Sequence, residues 1–133
     1  MNPSATGSPY PHLLEPLDYA DLIYLMRRAI MVVTDSGGLQ EEAPALGKPV
    51  LVLRQLTERP EAVKAGTVRL VGTDSRRIHR WVTRLLDDSI QYRRMANAVN
   101  PYGDGRAADR TAEAIRYFLH LRRTRPAEFQ VQS

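Results

Sequence analysis

Two stretches of the chain, Ile30–Val33 ahead of Thr34 and Pro49–Leu53, are apolar without polar alternation. A half-exposed strand alternates, so unbroken runs of this length predict parallel strands covered on both faces. A third strand is expected over Thr67–Val71, closed by Gly72. Around these runs the apolar residues recur at helical spacing. Leu22, Ile23, Leu25, Met26 and Ala29 predict an amphipathic helix over 19–28 with Asp18 as its N-cap. Leu39, Ala43 and Leu46 mark the buried side of a helix between the first two strands, and Pro44 within it predicts that it is short or bent.

Further on, Pro60 and Gly66 bound a helix opening at Arg59, with proline in the first turn and glycine at the stop. Asp74 or Ser75 caps a long helix that turns Ile78, Trp81, Val82, Leu85 and Leu86 inward, and a short helix is expected over 90–98. A last helix over 106–122 gathers Ala112, Ile115, Phe118 and Leu119 on one face. A short strand is expected at His12–Leu14, and the dense turn formers of Asn100–Gly105 predict a loop. Residues 1–11 and 124–133 are expected to be loose termini around one domain over 12–123.

Strands alternating with helices predict an α/β layer around a mostly parallel sheet. That pattern leaves a response-regulator-like module, half a Rossmann enzyme and a nucleotide-sugar domain all open. The sharpest local feature is Ser36-Gly37-Gly38, where a buried strand turns into a helix. Main-chain N–H groups at such a turn can seat a phosphate, and glycine lets the anion approach the backbone. Two glycines alone fit equally well a plain helix cap by Asp35 or Ser36.

Composition removes several function classes. There is no cysteine, which excludes disulfides, thiolate metal sites and a cysteine nucleophile. His12, His79 and His120 lie far apart without metal-ligand spacing, so neither a metal nor another cofactor is expected. The net charge of +4 comes from scattered arginines with no nucleic-acid motif, so nucleic acid is not an expected partner. No window approaches the roughly 18–20 apolar residues of a membrane span. The first residues have neither a basic segment nor an apolar signal core, and a cytoplasmic location is expected.

The wording itself is specific. DSGGLQEEAPALGKPVLVLR, then TERPEAVKAGTVRLVGTD, and later NPYGDGRAADR closely resemble the bacterial non-hydrolysing UDP-N-acetylglucosamine 2-epimerases. Those isomerases interconvert UDP-GlcNAc and UDP-ManNAc for cell-surface polysaccharide synthesis. The resemblance runs from about Leu13 to Leu119. It implies an α/β fold: a partial doubly wound (Rossmann-like) parallel sheet flanked by helices, most of the second domain of a two-domain GT-B-like epimerase. It also implies UDP or UDP-GlcNAc as ligand, with Ser36, Gly37, Gly38 and Arg59 at the phosphates and Glu42 at the ribose hydroxyls. Arg54 is a weaker candidate for the same cleft. Leu17 would offer backbone groups to the uracil and Leu22 apolar contact, although core packing explains Leu22 equally simply. Glu41 reads as an exposed helix charge, and the Tyr102–Gly105 loop has no assigned role.

By the same resemblance, the first domain with the acid and base acting at the sugar C2 lies outside this sequence. No catalytic residue is therefore expected here, and the chain alone is expected to be inactive. A strand that belongs beside Val32 is missing as well, which predicts an open sheet edge covered by self-association or by a separately encoded N-terminal half. A non-catalytic nucleotide-sugar-binding or regulatory module is the alternative. A hydrolysing epimerase or a glycosyltransferase fits the TERPE and NPYGDG wording less well.

Overall fold

The computed structural model describes residues 11–129. In chain order the elements are α1 (Tyr19–Arg28), β1 (Val32–Thr34), α2 (Leu39–Ala45), β2 (Val50–Val52), α3 (Pro60–Ala65), β3 (Val68–Leu70), α4 (Ser75–Asp87), α5 (Ser89–Ala96) and α6 (Ala107–Phe118). The strands form one parallel sheet in the order β1-β2-β3. Val32, Val50 and Val68 stand in register across it.

The middle strand shows why this sequence folds as it does. Successive side chains of a strand point to opposite faces, and β2 buries all three of its residues completely. Val50 and Val52 join Met26, Ala43, Ala62 and Val68, beneath α1, α2 and α3. Leu51 points the other way and joins Val71, Leu85 and Met95, beneath α4 and α5. Helices thus cover both faces, as an unbroken apolar strand requires. The expected caps hold too: Asp18 accepts the Asp21 N–H at 2.9 Å, and Asp74 rather than Ser75 accepts the Arg77 N–H at 2.8 Å. Gly66 ends α3 with φ of +85°, a conformation that costs glycine little.

Four expectations are corrected. His12–Leu14 forms no strand: Leu13 is 99% exposed and has no neighbouring strand to pair with among the described residues. β1 is not covered on both faces, since Val33 is exposed and no strand lies on its outer side among the described residues. Leu86 of α4 is exposed, because Leu85 takes the position facing the sheet. α6 stops at Phe118 rather than running on to 122, and Ile115, Phe118 and Leu119 on its apolar face are all exposed. Of the expected loose termini, 124–129 carry no helix or strand, and residues 1–10 and 130–133 lie outside the described residues.

Candidate functional site

Two loops leave the carboxyl ends of adjacent parallel strands, where ligands of open α/β sheets sit. The first, after β1, is the turn Asp35–Gly38 leading into α2. Thr34 Oγ1 accepts the Ser36 N–H at 3.0 Å and starts the turn. Gly38 occupies the cap position of α2 in helical conformation, and no side chain caps it. The plain-cap reading of Asp35 or Ser36 is therefore set aside. Neither Gly37 nor Gly38 has a positive φ, so their value is space rather than conformation. A Cβ on Gly37 would lie 2.6 Å from Glu58 Oε1.

The second loop, Arg54–Arg59, follows β2 and folds back over the first. Its Thr57 hydroxyl donates to Gln40 Oε1 at 2.6 Å and accepts the Arg59 N–H at 3.0 Å. Gln40 is fully buried, and its Nε2 donates to the Ser36 carbonyl at 3.2 Å. Arg59 Nε faces the Glu41 carboxylate. Arg54 Nη1 donates to Glu58 Oε2 at 2.9 Å. A hydrogen bond from its own backbone holds the Glu58 carboxyl below the usual carboxylate range, and the charges of Arg54 and Arg59 add to that. Two guanidinium groups thus stand near the glycine turn, each beside a carboxylate.

Beyond Glu41 and Glu42 a cleft of about 590 Å³ opens between α2, the Asn100–Gly105 loop and α6. Tyr102 packs its ring against the α1–α3 core. Burial pushes its hydroxyl pKa up, helped by the nearby charges of Glu61 and Glu41. Asn100 Oδ1 accepts the Tyr102 N–H at 3.2 Å and shapes the loop. Arg110 of α6 grips both oxygens of Asp104 at 2.7 Å each. That fork, with a further N–H donated by Arg106, holds the Asp104 carboxyl well below the usual carboxylate range. The loop that had no role in the sequence is thus a staple between α6 and the body of the domain.

Comparison with known proteins decides the family. The model of the UDP-N-acetylglucosamine 2-epimerase family matches residues 4–116. The chain belongs to that family. The UDP-N-acetylglucosamine 2-epimerase of Escherichia coli is 60% identical over 104 residues, which are 78% of this chain and 28% of that protein. The Staphylococcus aureus MnaA–UDP co-structure superposes with a TM-score of 0.82 at 46% identity, over 89% of this chain and 32% of that one. The UDP-GlcNAc 2-epimerase from Neisseria meningitidis bound to UDP-GlcNAc gives 0.75 at 52% identity, over 78% and 28%. This epimerase-family chain therefore spans less than a third of the length of these relatives.

Within the epimerase-family fold, the residues singled out in the sequence divide into three groups. Ser36–Gly38 and the backbone of Arg59 are linked across the two loops through Gln40 and Thr57. Glu42, half-buried, lies on the cleft wall beside Glu41. Leu22 packs against the α1–α3 core, while Leu17 is 39% exposed just before α1. Glu41, read from sequence as an exposed charge, is corrected: it is half-buried and faces Arg59. Gln40 and Thr57 were missed, because a glutamine between Leu39 and Glu41 looks like a solvent residue. Among the described residues there is no cluster of three His, Asp or Glu able to hold a metal. No helix there is long and apolar enough to cross a membrane.

Proposed function

We propose that this chain is the UDP-holding portion of a cytoplasmic UDP-GlcNAc 2-epimerase. Ser36–Gly38 and Arg59 seat the diphosphate, Glu42 accepts the ribose hydroxyls, and Leu17 and Leu22 border the uracil. One observation carries the reading: in a chain of this family, hydrogen bonds through Gln40 and Thr57 tie the glycine turn to the Arg59 backbone, beyond the carboxyl ends of neighbouring strands. Main-chain N–H groups and a guanidinium that keeps its charge at neutral pH suit a diphosphate. An ionised carboxylate has acceptors only and suits sugar hydroxyls. Inverting C2 of the sugar needs an acid and a base within hydrogen-bond reach of it. Those groups come from outside this chain, which alone turns over no substrate. The outer edge of β1, open among the described residues, is covered in use by a second copy of the chain or by an N-terminal half of the epimerase.

Calorimetric titration with UDP tests the seat. Binding by the purified chain that is lost in Arg59→Ala supports it. Absence of binding to a demonstrably folded chain, or equal binding by Arg59→Ala, sinks it. Epimerase turnover by the chain alone would overturn the statement that the acid and base lie elsewhere.

A further inference from the structure

We propose that Gln40 and Thr57 are positioning residues that set Arg59 against the Ser36–Gly38 turn through a hydrogen-bond relay of fixed direction. The proposal rests on the reading of those residues as the nucleotide seat. The direction follows from the two ends. A carbonyl only accepts, so Gln40 must turn Nε2 toward Ser36 O, 3.2 Å away. Its Oε1 then faces Thr57, whose hydroxyl lies at 2.6 Å and must donate. A hydroxyl has one proton, so what Thr57 offers the backbone of Arg59 is a lone pair. The Arg59 N–H, which only donates, takes it at 3.0 Å. Every atom in the relay has one possible role.

Magnitudes favour this relay over the ion pair as the element that fixes the geometry. The Arg59 and Glu41 side chains are each more than a third exposed, so water and salt screen their attraction. Gln40 is fully buried, and breaking its bonds strands polar groups away from water. The relay also joins segments 17 residues apart, whereas each loop taken alone has only local contacts of this kind. An arginine whose backbone is pinned has less freedom to lose when it meets a phosphate.

The test uses the whole chain and four variants, each first shown to be folded by circular dichroism. Thr57→Val removes the hydroxyl at similar shape, and Thr57→Ser keeps it. Gln40→Glu sets an acceptor against the Ser36 carbonyl, and Arg59→Ala removes the guanidinium. UDP affinity by calorimetry is expected to fall about tenfold or more in Thr57→Val and Gln40→Glu. Thr57→Ser is expected to stay within about twofold of wild type. By NMR, hydrogen exchange of the Arg59 amide is expected to accelerate in Thr57→Val and not in Thr57→Ser. Wild-type affinity in Thr57→Val, or an equal loss in Thr57→Ser, overturns the relay while leaving the nucleotide seat standing. A wild-type chain that does not bind UDP defeats the seat instead. In that case the Arg59 exchange rates still decide the relay, and equal rates in all three Thr57 forms overturn it.

Discussion

Helices α2 and α6 both look amphipathic in sequence, and the fold treats them in opposite ways. α2 buries Gln40, Ala43 and Pro44 against the sheet and ties its start to the loop after β2. α6 buries no residue at all and leaves Ile115, Phe118 and Leu119 exposed. It is held by charges instead: Arg110 to Asp104 at its start, and Glu113 to Arg122 at 2.8 Å near its end. Amphipathicity records that a helix has a face to cover and says nothing about whether the covering surface lies in the same chain. The region around α2 carries the candidate site and its own support. The region around α6 carries an apolar face with no cover among the described residues.

If the two regions differ as described, disturbing them should give very different effects. The largest should come from the sheet under α2 and α4. Leu51→Ala empties a fully buried position and is expected to cost about 2–5 kcal/mol in chemical denaturation. A cost near zero would mean that the sheet is not the structural centre. Next, Arg59→Ala is expected to weaken UDP binding by about 1.5–3 kcal/mol, tenfold or more, with stability nearly unchanged. Equal losses of stability and affinity would merge site and scaffold and blur the contrast.

Asp104→Asn should have a smaller effect, loosening the staple that joins α6 to the loop. The Asp104 carboxyl titrates lower in the folded chain than in the unfolded one, where it is near the usual value of about 3.9. Its contribution is therefore fully present above that value and is lost as pH falls through the lower, folded-state value. The stability gap between wild type and Asp104→Asn should be constant near neutrality and shrink below about pH 4. A gap that persists in acid would contradict the ion pair. The smallest effect is expected from Phe118→Ser, on the bare face of α6: a change within about 0.5 kcal/mol. A large loss there would show that the face is covered after all.

The same contrast explains what could be read from sequence. β2 was legible because a strand buried on both faces leaves an unbroken apolar run. The caps at Asp18 and Asp74 were legible because capping is local chemistry within three residues. The strand expected at His12–Leu14 failed because two leucines record apolarity but not a pairing partner. The apolar face of α6 was legible as periodicity, which does not say what covers it. Of the candidate site residues, Ser36–Gly38 and Arg59 were singled out with the help of family wording. Gln40 and Thr57 were not, since whether a polar side chain is buried depends on a partner 17 residues away. Glu41 was misjudged likewise: its neighbour Arg59 arrives from another loop.

Amide hydrogen exchange across the whole chain, with and without saturating UDP, tests the central claim most directly. The account predicts added protection confined to the turn at 35–38, the start of α2 and the loop at 54–59, with α6 unchanged. Protection centred on α6, or none in a folded chain at saturating UDP, would contradict it.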